Sequence, residues 1–258
     1  MQNNTFSTLF VGQNLIKLSD VDSTNNFLKL LVSKSEPLAE GTVIMADNQF
    51  AGRGQQQNSW QSEPGKNLTF SVYLRPVFLP VQKQFLLNMA VSIAICNALR
   101  ELVGDNIIIK WPNDIYYGGK KLGGILIENQ LSGLTYKTGI IGIGLNVNQD
   151  YFSDELKDRV ISLSQILHKN VNLIKLLAVI CSHIESQYLK LKSNSHFSLQ
   201  ADYLHRLMWY NQTGKYSENG QVFEGVLTGV TDQGLLMIKS NGIEKAYNFK
   251  EISFLIDK

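Results

Sequence analysis

Cysteine is nearly missing from this chain: of 258 residues only Cys96 and Cys181 carry a thiol. Each falls in an apolar stretch of helical spacing, where a lone cysteine packs as a small hydrophobe. That argues against a disulfide framework and against a cysteine-held metal. Histidine is sparse too. His183, His196 and His205 fall on expected helices and His168 just before one. None has a cysteine or carboxylate at metal-ligand spacing, so all four read as structural or surface residues. Neither sign of charge dominates. The 24 basic and 22 acidic residues leave a net +2, which creates no broad field for nucleic acid or anionic membrane, and neither is expected as a partner. The first residues lack the basic and apolar segments of a signal peptide, and no apolar run is expected to span a bilayer, so the cytoplasm is the expected compartment. Two nucleotide signatures are absent as well. There is no G-x-x-x-x-G-K-[ST] phosphate loop, and Gly142-Ile143-Gly144-Leu145-Asn146-Val147 lacks the third glycine of a dinucleotide fingerprint. Any ATP chemistry therefore needs another device.

What is present is material for one core and a small second unit, with 44% hydrophobic and 18% charged residues. Asp22-Ser23-Thr24 offers N-cap side chains to a helix whose apolar residues are Phe27, Leu28, Leu30 and Leu31 and which ends before Pro37. Thr42 to Ala46 is a short β-branched run. Leu68, Phe70, Val72 and Leu74 alternate with Thr69, Ser71, Tyr73 and Arg75, the period of a strand with one buried face. Between these runs, residues 48–66 form a polar loop with three glycines, too long for a plain turn and of the kind that often carries function. Residues 84–103 predict one well-packed helix. A strand at Ile107 to Lys110, a tight turn at Gly118-Gly119, and strands over Leu122 to Glu128 and Thr135 to Asn146 follow. Asn172 to Leu191 and Phe197 to Trp209 predict covering helices. Hairpins mixed with a few helices indicate an α+β fold with a largely antiparallel sheet, not alternating βαβ units. After Asn211 the segments become short and glycine-punctuated, with turns at Asp232-Gln233-Gly234 and Asn241-Gly242. This predicts a small all-β barrel over 211–258 behind a main unit of residues 1–210.

Three motifs bear chemistry. Gly52-Arg53-Gly54 lets backbone approach a ligand and presents a guanidinium fork suited to phosphate or carboxylate, yet on those residues alone a solvated surface loop reads better. Lys110-Trp111-Pro112-Asn113-Asp114 places a lysine, an amide and an aspartate at a strand end. Such a group suits an anionic ligand and a Mg²⁺ ion, and a surface ion pair beside a buried tryptophan explains it equally well. Lys121-Leu122-Gly123-Gly124-Ile125 sets two glycines inside a strand, either for close approach of a ligand or for a bulge.

Taken in order and spacing, Asp22-Ser23-Thr24-Asn25, Gln49 to Gly54, Lys110 to Asp114, Lys121 to Ile125 and Gly142 to Asn146 resemble the motif series of biotin protein ligases. The resemblance covers roughly residues 16–150 well and the remainder in outline. It implies a class II synthetase-like ligase fold with a C-terminal SH3-like barrel, ATP and biotin as substrates with Mg²⁺, a biotin carboxyl carrier protein as acceptor, and weak pairing through sheet edges. Ser23, Thr24, Asn25 and Gln49 would bind the ureido head of biotin, with Gly123 and Gly124 beside the ligand. Gly52, Arg53, Gly54 and Gln55 would lie over the activated carboxyl. Lys121 would hold the carboxylate and then the mixed anhydride, while Lys110, Asn113 and Asp114 position nucleotide and acceptor lysine, Asp114 through Mg²⁺. Asn146 and Trp60 would meet the adenine. One departure matters: where the family often carries a further arginine, this chain has Gln55-Gln56-Gln57, which puts retention of the adenylate in doubt.

Competing readings differ in what they require. A lipoate ligase of the same fold needs no hydrogen-bonding group for a dithiolane, so the polar set at Ser23 to Asn25 and Gln49 favours biotin. A biotin-sensing repressor of this family carries a helix-turn-helix domain ahead of the motif series, for which the roughly twenty residues before Ser23 are too few, so a stand-alone ligase is expected. A non-catalytic binding module would need neither Lys121 nor Asp114.

Overall fold

The computed structural model describes residues 6–34, 37–55, 58–133, 135–193 and 195–256. In chain order the elements are β1 (Leu15–Val21), α1 (Thr24–Ser33), β2 (Val43–Gln49), β3 (Leu68–Leu74), α2 (Phe85–Val103), β4 (Ile107–Lys110), β5 (Asp114–Tyr117), β6 (Lys120–Ser132), β7 (Thr135–Leu145), α3 (Leu163–Leu167), α4 (Leu173–Lys192), α5 (His196–His205), β8 (Thr213–Glu218), β9 (Gln221–Val230), β10 (Leu236–Ser240), β11 (Ile243–Tyr247) and β12 (Ser253–Phe254). They build a seven-stranded sheet in the order β1-β2-β3-β7-β6-β5-β4 and a five-stranded one in the order β11-β10-β9-β8-β12. Only β1 and β2 pair in parallel in the first sheet; every other neighbour is antiparallel, as is the whole second sheet. The expected α+β class, with hairpins dominating, is what forms.

Helices cover both faces of the large sheet. On one side α2 runs against β4 and β5 and is itself backed by α4 and α5, forming the main core with Phe70, Val72, Ile109, Ile141 and Ile143. On the other, α1 lies over β2, β3 and β7 and closes a smaller cluster of Leu28, Ile44, Tyr73 and Ile140. This second cover corrects the reading of β3 as a strand with one buried face. All seven of its residues are buried, because Ser71 and Tyr73 face α1 instead of water and Thr69 bonds Ala46 O on β2. Ser71, which the alternation assigned to solvent, is fully enclosed.

Other expectations change in detail. Ser23 is the N-cap of α1 in extended backbone, but its side chain makes no capping hydrogen bond; that side chain lines the cavity described below. Helix α3 went unpredicted although Ser162 and Gln165 form a reciprocal capping box, the pattern that marks a helix start. The last expected helix stops at His205, not Trp209. Beyond it the chain runs along β4, with Ile109 N donating to Arg206 O and Met208 N to Ile109 O, and Trp209 takes a left-handed φ of 62°. Cys96 and Cys181 are buried free thiols on α2 and α4, with burial pushing each up to about 12. Within the 26-residue segment Val81–Asn106, against expectation, an 18-residue stretch with a mean hydropathy of 1.5 is apolar and long enough to cross a membrane. Here it is the core helix, because the surface that would meet lipid is spent on α4, α5 and the sheet.

The C-terminal sheet is joined to the rest by apolar contact. Tyr216, Leu227, Leu236, Ile238, Tyr247 and Ile252 belong to the same continuous core as α2 and the first sheet. Asn241-Gly242 forms its predicted turn with φ of 50° and 80°, the left-handed pair that a two-residue hairpin requires. Gly118-Gly119 does the same between β5 and β6, at 54° and 79°.

Candidate active site

A cavity of about 420 Å³ opens where α1, the loop after β2, the β4–β5 turn, β6, β7 and the C-terminal segment 249–254 converge. Its polar end is built from the α1 N-terminus. The Thr24 backbone N–H and hydroxyl donate to Gln49 Oε1 at 2.8 and 3.0 Å. The Ser71 hydroxyl lies 2.7 Å from Thr24 Oγ1 and 2.5 Å from Asn25 Oδ1. Asn25 Nδ2 in turn donates to Glu128 Oε2 at 2.8 Å and to Leu126 O at 3.3 Å. A side chain at position 142 would displace this arrangement, since a Cβ there would stand 2.5 Å from Asn25 Oδ1. Glycine 144, two residues along the same strand face, leaves room for the Trp60 indole in the same way. The glycines of β7 thus make a flat floor on which the site's side chains lie.

The loop after β2 is a small hairpin. Trp60 N donates to Gly52 O at 2.9 Å and Gly54 N to Asn58 O at 2.7 Å, with Arg53 bridged to Ser59. This geometry presents Arg53 to the cavity, and its Nη2 reaches Glu128 Oε2 at 2.7 Å. Lys29 grips the other oxygen of Glu128 at 2.5 Å. Burial opposes the charge on Glu128, but the hydrogen bonds from Lys29 and Asn25 and the Arg53 charge outweigh it, and its carboxyl sits below the usual range. The Trp60 indole N–H is buried with no hydrogen-bond partner among the described residues, a donor left for something in the cavity.

The charged end comes from the β4–β5 turn and β6. Pro112 O accepts from Asn88 Nδ2 at 2.8 Å and from the Tyr203 hydroxyl at 2.9 Å, so α2 and α5 both hold the turn, whose Trp111–Pro112 bond is cis. Trp111 is buried against Phe249, with ring centroids 5.0 Å apart, and donates to Gly234 O. Across the turn Lys110 and Asp114 pair in register. Between Ile115 and Tyr116 the β5–β6 register slips by one residue, so Leu122 is a bulge. The slip brings Lys121 Nζ to 2.7 Å from Asp114 Oδ1, and both side chains lie over Gly124, whose Cβ would meet Asp114 Oδ1 at 3.1 Å. Segment 159–161 pins the Lys121 backbone, Lys121 N donating to Arg159 O and Ile161 N to Lys121 O. Lys110 is held differently. Burial lowers its pKa, partly offset by Asp114 and reinforced by Lys121, and its ammonium stands 5.5 and 5.6 Å from the Tyr116 and Phe254 ring centres.

These features match known proteins. The sequence model of the biotin/lipoate A/B protein ligase family fits residues 18–146. The bifunctional ligase/repressor BirA of Bacillus subtilis is 34% identical over 250 residues, 93% of this chain and 74% of that protein. The chain belongs to the biotin/lipoate A/B protein ligase family. Within it, the biotin--[acetyl-CoA-carboxylase] ligase of Mycobacterium tuberculosis is 27% identical, over 79% of this chain and 75% of that one. The crystallised biotin protein ligase of Aquifex aeolicus in complex with biotin and ATP superposes with a TM-score of 0.79 at 29% identity, covering 95% of this chain and all of that one.

Of the ligase-type residues expected from sequence, the cavity brings together Ser23, Thr24, Asn25, Gln49, Arg53, Gly54, Gln55, Trp60, Lys110, Asn113, Asp114, Lys121 and Gly124. Gln56 and Gln57 lie outside the described residues. Three expected residues stand behind the wall. Gly52 is packed against the Trp60 carbonyl and Gly123 against Leu145 and the Gly144 carbonyl, so their missing side chains admit protein, not ligand. Asn146 is buried and donates to Ile161 O at 3.3 Å. Asn113 touches the cavity, but its amide is turned to Ile125 O. Sequence reasoning missed Glu128 and Ser71, which bond cavity-lining side chains from behind, and the C-terminal wall of Phe249, Ile252, Ser253 and Phe254. Glu128 stands on the same strand beyond Ile125, where the quoted motif ends, separated from it by Leu126 and Ile127, yet its partners come from α1 and the hairpin loop, which no local pattern announces.

Proposed function

We propose that this family member is a biotin protein ligase. It joins biotin to AMP from ATP, releasing pyrophosphate, and then passes the biotinyl group to a lysine of a biotin carboxyl carrier protein. The observation that carries the reading is that one cavity holds a polar, hydrogen-bonding end and a cationic end. The Thr24, Asn25 and Gln49 groups pair with one another and their neighbours and keep capacity to spare that suits a ureido ring, which both donates and accepts, whereas a dithiolane would leave that capacity unused. Arg53, Lys110 and Lys121 suit a carboxylate and phosphates. In the first step a biotin carboxylate oxygen attacks the α-phosphorus and the bond to pyrophosphate breaks. Lys121, freed from Asp114 by the incoming anion, stabilises the charge that builds on the α-phosphate oxygens. In the second step the acceptor amine attacks the acyl carbon, AMP leaves, and the amine loses a proton. No nucleophile of the enzyme is needed, and positioning supplies much of the rate.

Among the described residues Asp114 is the one carboxylate lining the cavity, which fits a Mg²⁺ held mainly by nucleotide phosphates and water, where the ion would neutralise phosphate charge. We assign residues 1–210 to the catalytic unit and 211–258 to a small β unit that closes the cavity with Phe249 and Phe254. The test is ATP–pyrophosphate exchange with biotin, lipoate and octanoate offered separately. Exchange should depend on biotin, and equal exchange with lipoate would overturn the assignment of substrate.

A further inference from the structure

We infer that Glu128 is a positioning residue for adenylation, one carboxylate that sets both the Arg53 guanidinium and the Asn25 amide. The inference rests on the ligase reading above and deepens it. Glu128 does not line the cavity, whereas Arg53 and Asn25 both do. It stands behind them and takes one donor from each, at 2.7 Å from Arg53 Nη2 and 2.8 Å from Asn25 Nδ2, on the same oxygen, Oε2. Among the described residues it is the one side chain bonded to the Arg53 guanidinium. A guanidinium carries five donors in a rigid fork. Fixing one Nη on Glu128 therefore orients the rest of the fork, which faces the cavity.

The amide of Asn25 is constrained in the same way. With Nδ2 committed to Glu128 and Leu126 O, the amide cannot turn over without setting its oxygen against two acceptors, whereas the Ser71 hydroxyl beside Oδ1 could serve either orientation. One Oδ1 lone pair remains for a ligand donor. Lys29, on the other oxygen at 2.5 Å, keeps the Glu128 carboxylate from rotating away from these two partners. The polar and cationic ends of the cavity thus share a hinge pin on β6, and the paired segments 52–54 and 58–60 are tied by it to the strand that carries Lys121.

The experiment is a double-mutant cycle of Glu128→Gln and Arg53→Gln in the full-length chain, read by single-turnover adenylate formation and by amide hydrogen exchange across residues 52–60. Glu128→Gln should slow adenylate formation roughly tenfold or more, the scale for misplacing one preorganised stabiliser, while circular dichroism shows the fold intact. On an Arg53→Gln background it should cost clearly less than in the wild type, the remainder passing through Asn25, because residues acting through one another do not combine independently. Exchange in the hairpin should rise in both single variants and no further in the double one. Glu128→Asp, which keeps the charge but shortens the reach, should fall between wild type and Glu128→Gln and serves if the latter does not fold. Multiplicative rate losses in the cycle, or a wild-type rate in Glu128→Gln beside a slow Arg53→Gln, would overturn the inference. Failure of the wild type to adenylate any of the three acids would instead sink the ligase reading, and unchanged hairpin exchange in Glu128→Gln would still overturn the role assigned to Glu128.

Discussion

Replacing Gly142 by alanine tests how much of the site depends on a missing side chain. The new Cβ would stand 2.5 Å from Asn25 Oδ1 and 3.0 Å from both Cγ and Nδ2, distances that real contacts do not sustain, so the amide must move. Its present bonds, to Glu128 at 2.8 Å and Ser71 at 2.5 Å, then lengthen together. A bond to a charged group contributes about 1.5–3 kcal/mol and a neutral one about 1 kcal/mol, while overpacking a tight site costs about 1–3 kcal/mol. Against this, alanine gains about 0.5–1 kcal/mol over glycine in strand backbone. Partial relaxation leaves a net loss of about 2–4 kcal/mol. For a chain of this size each kcal/mol moves Tm by roughly 2–4 °C, so calorimetry should show a drop of roughly 5–15 °C. Titration calorimetry with biotin should show affinity falling more than tenfold, since the amide is displaced from the polar end. A variant that unfolds within about 1 kcal/mol of wild type and binds biotin as tightly would refute the reasoning, because Asn25 would then have room that the geometry denies it.

Four further outcomes are expected. Lys121→Ala should slow single-turnover adenylate formation on the order of 10²-fold or more, the usual effect of removing one preorganised charge, with the fold intact by circular dichroism; an unchanged rate would mean that the chemistry lies elsewhere. Gln55→Arg should reduce biotin labelling of bystander albumin by holding the adenylate with a charge where the amide has none; no labelling by the wild type and none by the variant would show that other contacts close the site. Glu185→Gln should cost about 2–4 kcal/mol in urea unfolding. The buried Glu185 carboxylate accepts from the backbone N–H groups of Leu9, Phe10 and Val11 at 2.7, 2.7 and 3.0 Å, and an amide turned either way sets a donor against a donor; a wild-type unfolding curve would refute this clamp. Because the Glu128 carboxyl is held below its ordinary value of 4.5, the folded state binds its proton less readily than the unfolded chain. Its contribution is complete above that value and lost as pH falls through the lowered one, so the stability difference between wild type and Glu128→Gln should be flat at neutral pH and vanish in acid; a difference that grows in acid would reverse the sign.

Local order in this protein was legible from the sequence because it is set by neighbours along the chain. The periods of 3.6 and 2 placed α1, α2, α4 and most strands, and glycines at 118–119 and 241–242 marked turns that need left-handed backbone. Motif residues such as Thr24, Gln49, Arg53, Asp114 and Lys121 could be named because their order and spacing resemble a family's motif series; on its residues alone the Arg53 loop read as solvated and Asp114 equally as half of a surface ion pair. What depends on distant segments could not be read. The alternation in β3 cannot reveal that α1 covers its second face, so Ser71 looked exposed. The glycines at 52 and 123 looked like openings for a ligand, when the Trp60 carbonyl and the Leu145 side chain fill them. Asn146 looked like a ligand group until Ile161 appeared beside it. Glu128, with partners 75, 99 and 103 residues away in sequence, and the Phe254 wall from the final strand acquire their places only when the sheets pack. Hydrogen bonds and burial act over a few ångströms in space, whatever the separation along the chain, so the sequence alone determined the elements and the motif chemistry, and the tertiary structure alone decided which of those groups share one cavity.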